Sequence, residues 1–315
     1  MSAPARRPLR IRLCDGIIRE NDILLDALRH HYEPVESDDP EIVFFGDGLN
    51  PEYVRYDCKR VNFSVENKWP DYSQCDYSLS FRDSADPRNL RQPYYTQEVR
   101  PAALVKDAGF AERVLAEERD FCGFLVSNGN PRRTWNRVEF FQRLHARRRV
   151  NSGGRAYNNI GGEPVKDRRA FVARHRFYIA FENQSWPGYI TEKIACAMQD
   201  GAIPIYWGDP AVVKEFNPKS FVNVHDFRDM DAAIDHVLRL ADDREALRAM
   251  LAEPWFHDNR PNKYYDTLRL GAFLHRIVEE PQRPRPRYYP QARLWYFRKK
   301  IMTRYPKLFA PSGGM

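Results

Sequence analysis

The sequence predicts an α/β protein built on parallel sheets. Apolar, β-rich runs end abruptly in Gly, Asp, Asn or Glu, and helical patterns lie between several of them. Continuous apolar strands that alternate with helices are typical of parallel sheets covered on both faces. The chain has 315 residues, enough for two domains, and 43% of them are hydrophobic, which indicates a folded core. We therefore expect two Rossmann-like halves with a cleft between them.

Seven of the apolar runs predict strands, and each one carries polar residues at its end. They are RIRLCDG (10–16), EIVFFGDG (41–48), RVNFSVEN (60–67), FCGFLVSNGN (121–130), RFYIAFENQ (176–184), AIPIYWGDP (202–210) and SFVNVHDF (220–227). In open parallel sheets, ligands bind beyond the carboxyl ends of the strands. The polar strand ends are therefore candidate sites by their position alone.

Helical periodicity separates several of the strands and places the domain boundaries. The patterns are NDILLDALRHHY (21–32), RVEFFQRLHARR (137–148) and MDAAIDHVLRLADDREALRAMLAEP (230–254). A more polar, helix-like stretch at 99–120 indicates a boundary, so we predict domains at 1–115 and 116–280. Residues 281–315 form a separate tail, in which a Pro-rich spacer precedes a short basic amphipathic helix.

The net charge of +7 belongs to this tail. Residues 281–309 hold nine Lys or Arg and no acidic residue, and the remainder has 41 basic against 43 acidic residues. A nucleic-acid binder needs a basic face on the fold itself, so we expect no nucleic-acid partner. The tail has two predicted fates: binding to an anionic membrane surface through residues 281–309, or packing on the N-terminal domain.

Other global features predict a cytoplasmic protein without a metal site. No run approaches ~18 apolar residues, and the N-terminus lacks the apolar segment of a secretory signal. Five cysteines are scattered singly, which predicts reduced thiols (Cys14, Cys58, Cys75, Cys122, Cys196). The histidines show no metal-ligand spacing, and the one DxD pattern, Asp229 to Asp231, begins a predicted helix, where Asp is a typical cap.

The stretch FENQSWPGYITEK, 181–193, joins a buried strand to the short helix IACAMQDG. Thr191 can cap this helix and Glu192 suits its first turn, but Lys193 lies where the helix dipole disfavours a cation. A bound diphosphate would explain Lys193, because free N–H groups and an ammonium both attract anions. The alternative is that Lys193 reaches solvent or pairs with a carboxylate.

Three further segments have open interpretations. Glu66 ends the strand RVNFSV and could be a general base or an ordinary turn residue. Arg132, Arg133 and Arg137 follow the fourth strand, where a guanidinium could hold a phosphate or simply be solvated. The glycine-rich segment NSGGRAYNNIGG (151–162) matches neither nucleotide-binding glycine motif, so it is either a flexible loop or one that closes over a ligand.

The letters FENQSWPGYITEKI, followed by IPIYWGDP and FNPKSFVNVHDF, resemble the α-1,3-fucosyltransferases of glycosyltransferase family 10, particularly the bacterial members. The likeness extends to VNFSVENKWPDYSQCDYSLSF (61–81), RQPYY (91–95) and the segment 124–144. The resemblance implies a GT-B architecture, in which an acceptor-binding and a donor-binding Rossmann-like domain face each other across a cleft. It also implies inverting, metal-independent transfer of L-fucose from GDP-β-L-fucose.

The resemblance further implies roles for individual residues. Lys193 and Arg137 would hold the diphosphate, with Arg133 as the alternative to Arg137. Glu192 would bind the ribose, Asn183 and Tyr189 would complete the nucleotide pocket, and Glu66 would be the catalytic base. The implied acceptor is an oligosaccharide or lipid-linked glycan, with transfer to O3 of GlcNAc in an N-acetyllactosamine-like unit. Two alternatives remain: another GDP-linked deoxyhexose as donor, or a binding protein without catalysis.

Overall fold

The computed structural model describes residues 6–14, 23–47 and 52–281, without the side chains of 131–134. The chain divides into two compact units. The first comprises Met1–Gln92 together with Asp266–Met315, and the second comprises Pro93–Tyr265. Each unit is built on its own parallel sheet, as the alternation of apolar runs and helices predicts.

The first unit contains a six-stranded sheet in the order β2-β1-β3-β4-β5-β6. Its strands are β1 (Arg7–Leu13), β2 (Tyr32–Glu36), β3 (Ile42–Phe45), β4 (Lys59–Phe63), β5 (Tyr77–Ser80) and β6 (Asn89–Arg91). Its helices are α1 (Ile23–Leu28) and α9 (Thr267–Glu279). The two helices pack closely, and Gly271 of α9 permits this: a Cβ at that position would lie only 2.8 Å from the carbonyl oxygen of Ala27 in α1.

The second unit contains a five-stranded sheet in the order β11-β10-β9-β7-β8. Its strands are β7 (Asp120–Phe124), β8 (Val150–Ser152), β9 (His175–Phe181), β10 (Ile203–Trp207) and β11 (Val222–Asn223). Its helices are α2 (Tyr95–Glu98), α3 (Phe110–Ala116), α4 (Pro131–Arg147), α5 (Arg168–Ala173), α6 (Glu192–Gln199), α7 (Met230–Asp242) and α8 (Arg244–Ala252). Aromatic and aliphatic side chains of β7, β9 and β10 form a continuous core with α4 and α7.

All seven predicted strands are present, as β1, β3, β4, β7, β9, β10 and β11. Four strands escaped prediction because they are short and polar. The edge strand β2 exposes Glu33 and Glu36, and in β5 the buried residues Ser78 and Ser80 alternate with two apolar ones, so its letters form no apolar run. Alternating hydrophobicity over so few residues gives no usable signal.

Two helical predictions need correction. The pattern at 230–254 forms two helices, because Asp243 has an extended backbone and its carboxylate accepts a hydrogen bond from the amide of Ala246, which starts α8. The pattern at 21–32 ends early, since α1 stops at Leu28 and Tyr32 already belongs to β2. Asp229 does cap α7 as predicted, accepting from the amide of Ala232.

The observed division of the chain differs from the predicted cut at residue 115. Residues 93–115 belong to the second unit, where the hydroxyl of Tyr95 donates to the buried Glu215 at 2.7 Å. Helix α9 belongs to the first unit, and the Lys59 amine donates to the carbonyls of Ile277 and Val278 at its end. The predicted tail lies, from residue 282 onward, outside the described residues.

Two global expectations can be compared with the described part of the chain. The five cysteines are all free and buried. Among the residues that the structure describes, no helix is both long enough and apolar enough to cross a membrane. Burial of the thiols agrees with their prediction as reduced, structural cysteines, because an apolar environment disfavours the reactive thiolate.

Candidate functional site

A positively charged pocket of about 340 Å³ lies beyond the carboxyl ends of β7, β8 and β9 in the second unit. Four basic side chains and one carboxylate line it (Arg137, Arg155, Arg168, Lys193 and Glu192). The rest of the wall is mostly apolar, with contributions from Phe124, Leu125, Ser127, Gly154, Pro164, Val165, Tyr178, Ile179 and Phe181. An excess of cations beside apolar surface suits an anionic ligand that also carries a flat or apolar part.

Helix α6 begins beside this pocket, and Lys193 is its second residue. Thr191 is the N-cap by backbone conformation, but its side chain makes no capping hydrogen bond. The predicted side-chain cap is therefore wrong. The Thr191 hydroxyl donates to a carboxylate oxygen of Glu182 at 2.7 Å, and its oxygen accepts from the Lys193 ammonium at 2.8 Å rather than from a helix amide.

Glu182 is completely buried at the end of β9 and organises the start of α6. Its Oε1 accepts from the Thr191 amide at 2.7 Å, and its Oε2 accepts from the Lys193 ammonium at 3.0 Å. Lys193 also donates to the Thr191 hydroxyl at 2.8 Å. The alternative prediction for Lys193, pairing with a carboxylate, thus holds in this structure.

Pairing with Glu182 does not exhaust the binding capacity of Lys193. An ammonium has three N–H donors, and two of them point to Glu182 and Thr191. The side chain is 22% exposed and lines the pocket, and Glu192 Oε1 stands 3.8 Å from its nitrogen. The ammonium is therefore fixed at the helix N-terminus, with one donor available to a ligand.

Glu182, Glu192 and Lys193, at the start of α6, shift one another's pKa values. Burial opposes charge on Lys193, but the carboxylates of Glu182 and Glu192 outweigh it and raise its pKa. Burial alone would raise the pKa of Glu192, yet the nearby ammonium lowers it. Burial raises the pKa of Glu182, against the influence of Lys193. At neutral pH, Lys193 therefore remains a cation in the pocket wall.

Arg137 reaches the pocket from α4 and contacts the loop that follows β9. Its Nη2 donates to Asn183 Oδ1 at 2.6 Å, so the structure brings together two residues predicted to bind the donor. Its Nε is buried and makes no hydrogen bond with the described residues. Burial also lowers the pKa of Arg137. A buried, unsatisfied donor is costly, and the guanidinium is therefore a group that an anionic ligand would stabilise.

Tyr189, predicted to complete the nucleotide pocket, interacts electrostatically with Arg137 and Lys193. Its side chain is only 2% exposed and is not part of the pocket wall. The neighbouring Gly188 amide donates to Asp209 Oδ2 at 2.6 Å, which ties the loop after β9 to the loop after β10. Gly208 allows this approach, since a Cβ there would lie 2.6 Å from Glu182 Cγ.

Sequence reasoning missed three residues at this site. Arg155 follows Gly154 in the glycine-rich segment, where a Cβ on Gly154 would lie 2.1 Å from the carbonyl oxygen of Val126. The segment therefore packs against the exit of β7 and carries Arg155 into the pocket wall. Arg168 starts α5 and had no sequence signal. Glu182 did have one, an acidic residue directly after an apolar strand.

Glu66 lies in the first unit, in the loop that follows β4. Its side chain is exposed, and its position is set through the backbone. Asp47, after the neighbouring strand β3, accepts three hydrogen bonds on Oδ2: from Ser64 Oγ at 2.8 Å, the Val65 amide at 2.8 Å and the Glu66 amide at 3.0 Å. The carboxylate of Asp47 therefore holds the loop while that of Glu66 faces solvent.

The described residues include no group of three or more His, Cys, Asp or Glu side chains arranged to hold a metal ion. Four basic side chains in the pocket wall offer positive charge to an anion. Asp229 and Asp231, the one DxD pattern, belong to the start of α7, where Asp229 caps the helix.

Two family models match the chain. Residues 11–97 match the N-terminal domain of alpha-(1,3)-fucosyltransferase FucT, and residues 115–266 match the C-terminal part of glycosyltransferase family 10 (fucosyltransferase). The chain belongs to glycosyltransferase family 10. The predicted family is therefore confirmed, and both matched segments fall on the parallel-sheet units described above.

Named relatives agree with this assignment. The chain is 34% identical over 297 residues to alpha-(1,3)-fucosyltransferase FucT of Helicobacter pylori, which covers 80% of this chain and 61% of that protein. It is 26% identical over 209 residues to the human 4-galactosyl-N-acetylglucosaminide 3-alpha-L-fucosyltransferase FUT6, covering 64% of this chain and 54% of the relative. This family member thus spans little more than half the length of either relative.

A solved structure confirms the fold class. A crystal structure of alpha1,3-fucosyltransferase with GDP-fucose is 29% identical to this chain and superimposes with a TM-score of 0.72, covering 90% of this chain and 94% of the other. The predicted GT-B class, with two parallel-sheet α/β domains, is therefore confirmed. The family model includes the segment that carries Lys193.

Proposed function

We propose that this protein is a fucosyltransferase that uses GDP-fucose as its donor. The observation that carries the proposal is the cationic pocket at the carboxyl ends of β7, β8 and β9, in a chain of this family. The Helicobacter pylori relative is named an alpha-(1,3)-fucosyltransferase, and the matching crystal structure was determined with GDP-fucose. A nucleoside diphosphate combines the flat ring and the anion that such a pocket suits.

The donor would bind in the second unit through the residues around this pocket. Lys193 and Arg137 would hold the diphosphate, and Arg155 and Arg168, which line the same pocket, would add positive charge. Glu192 would accept hydrogen bonds from the ribose hydroxyls. Asn183 would act through Arg137, whose guanidinium it already holds. Backbone N–H groups at the start of α6 add positive potential.

The proposed reaction is a single displacement with inversion. The acceptor hydroxyl oxygen forms a bond to C1 of fucose while the bond from C1 to the GDP oxygen breaks. The carboxylate of Glu66 takes the hydroxyl proton, and the departing electron pair stays on the β-phosphate. Lys193 and Arg137 would stabilise that developing negative charge. A carboxylate near the sugar would also stabilise positive charge that develops at C1.

The reaction is proposed to need no metal ion. In metal-dependent transferases a divalent cation neutralises the departing diphosphate. Here four side chains in the pocket wall carry positive charge, and Glu182 keeps one of them, Lys193, fixed before a ligand arrives. This fixed charge can serve the same electrostatic purpose.

The proposed acceptor is a bacterial surface glycan, with transfer to O3 of GlcNAc in an N-acetyllactosamine-like unit. Support comes from the human relative, which is named for the 3-position of a 4-galactosyl-N-acetylglucosaminide. A different GDP-linked deoxyhexose as donor, or binding without catalysis, would keep the same fold. Both alternatives are outcomes of the experiment below.

The deciding experiment measures GDP release from GDP-fucose in the presence of EDTA, with and without N-acetyllactosamine. Acceptor-dependent release is the expected result and would support a metal-independent transferase. If calorimetry detects GDP-fucose binding but no GDP is released, the donor assignment would be kept and other glycans would be tested as acceptors. Neither binding nor release by the folded protein would overturn the proposal.

We also propose a cytoplasmic enzyme that meets its glycan acceptor at an anionic membrane surface through residues 281–309. The support is the concentration of nine basic residues and no acidic one in that segment. Cosedimentation with vesicles containing anionic lipid, compared between the full chain and a chain ending at Pro281, tests this. Equal binding by both would contradict it.

A further inference from the structure

Trp69 is a large aromatic side chain that the fold leaves open to solvent. It is 64% exposed, and it lies three residues after Glu66 in the loop between β4 and β5. Pro70 follows it and restricts the backbone of Trp69 to extended conformations. An indole that is mostly in water adds little to the stability of the fold, because burial of aromatic surface is the main way in which such a side chain stabilises a protein.

The indole is held in place from beneath by a buried cation. The guanidinium carbon of Arg82 lies 4.5 Å from the centre of the Trp69 ring and 4.8 Å from that of Phe81. Arg82 is only 6% exposed, and its Nη2 donates to Asn67 Oδ1 at 2.9 Å. A cation over an indole face is a favourable contact, and the one between Arg82 and Trp69 fixes the orientation of the ring.

This support comes from the same sheet edge that carries Glu66. Arg82 follows β5, Trp69 and Glu66 follow β4, and Asp47 follows β3, and these three strands are neighbours in the sheet. Their carboxyl ends therefore bring a proposed base, a fixed aromatic face and the carboxylate that anchors their loop to one edge of the first unit. Ligands of parallel sheets bind at such edges.

We propose that Trp69 is a platform on which a hexopyranose ring of the acceptor glycan stacks. One face of a pyranose consists largely of C–H bonds, and a neutral sugar of this kind matches an open indole face whose other side is covered by Arg82. The inference deepens the proposed function and rests on it. It gives the first unit a contact that orients the acceptor near Glu66, the base in the same loop.

The test compares Trp69→Ala and Trp69→Phe in the full chain, with N-acetyllactosamine as the acceptor. Trp69→Ala is expected to raise the acceptor KM roughly tenfold and to leave the donor KM and GDP affinity unchanged. The donor KM and the GDP affinity should not change, because Arg137 and Lys193 lie in the second unit. Trp69→Phe keeps a flat face and should recover most of the loss.

Leu268→Ala is the matched control, because Leu268 is also 64% exposed and also lies in the first unit. It removes exposed apolar surface at a comparable site and should leave the acceptor KM unchanged. An acceptor KM within twofold of wild type in Trp69→Ala would overturn the platform. A fall in kcat with an unchanged acceptor KM would overturn it as well.

Failure of the proposed function gives a different result. If the wild-type protein releases no GDP, titration of its tryptophan fluorescence with N-acetyllactosamine tests the platform directly. A saturable change that disappears in Trp69→Phe would support the platform without catalysis. No change in the wild-type protein would overturn it for this class of sugar.

Discussion

The two sheet edges hold their charged side chains in opposite ways. In the second unit, Lys193 is tied by its side chain to the buried carboxylate of Glu182. In the first unit, the Glu66 side chain is exposed, and its backbone is tied through Asp47. A charge that must stabilise a phosphate benefits from being fixed in advance. A base must reach the hydroxyl of the acceptor, and an exposed carboxylate on an anchored backbone is open to such a substrate.

The largest effect should come from Glu66→Gln, which removes the proposed base without changing its size. Turnover should fall by a factor on the order of 10²–10⁴, the usual contribution of a general base. GDP affinity should be unchanged, because the donor side chains lie in the second unit. Acceptor-dependent GDP release and calorimetry measure the two quantities. Retention of turnover would mean that Glu66 is an ordinary loop residue.

The second effect should come from Glu182→Gln, which breaks the buried pair with Lys193. Loss of one partner of a fully buried ion pair costs about 3–5 kcal/mol, and the cost here should be smaller, because Lys193 is 22% exposed and Glu192 stays 3.8 Å away. We expect a clear drop in the thermal midpoint and weaker GDP binding, since the ammonium is no longer held at the start of α6. Differential scanning fluorimetry and calorimetry check this.

Glu139→Gln provides the control for that experiment. Glu139 pairs with Arg143 on the surface of α4, where both side chains are partly exposed. Exposed pairs contribute only about 0–1 kcal/mol, so the midpoint should barely move. Equal midpoints for the two variants would refute the structural importance of Glu182.

The smallest of the three effects should come from Asp47→Asn, which weakens the anchor of the Glu66 loop. The amide keeps one acceptor oxygen but loses the charge that strengthens three hydrogen bonds from 64–66. We expect kcat to fall about tenfold, on the basis that misplacing a catalytic group is costly, with donor KM unchanged.

Asp71→Asn is its matched control. Asp71 lies in the same connection between β4 and β5 and accepts from the Ser73 amide and hydroxyl. It does not bond the backbone of Glu66, so kcat should stay near the wild-type value. A similar kcat for Asp47→Asn and Asp71→Asn would show that Asp47 has no special role in positioning the base.

The contrast between the two edges also separates what sequence reasoning could find from what it missed. Arg137 and Asn183 were predicted from the family resemblance, and the fold places them in hydrogen-bond contact across 46 residues. Arg155 and Arg168 were not predicted, since their neighbours in sequence carry no pattern that points to a phosphate. They reach the pocket because a glycine-rich segment and the start of α5 both end beside β7 and β9.

The sequence by itself determined the fold class, the seven principal strands and the family. These follow from local signals: apolar runs of strand length, polar residues at their ends and the letters from Phe181 to Phe227. Only the tertiary structure decided which charges meet. Glu182 became the partner of Lys193 because α6 begins beside the end of β9. Asp47 became the anchor of Glu66 and Arg82 the support of Trp69, because the neighbouring strands β3, β4 and β5 end at one edge of the sheet and bring their following residues into contact. Residue spacing along the chain carries no record of that proximity.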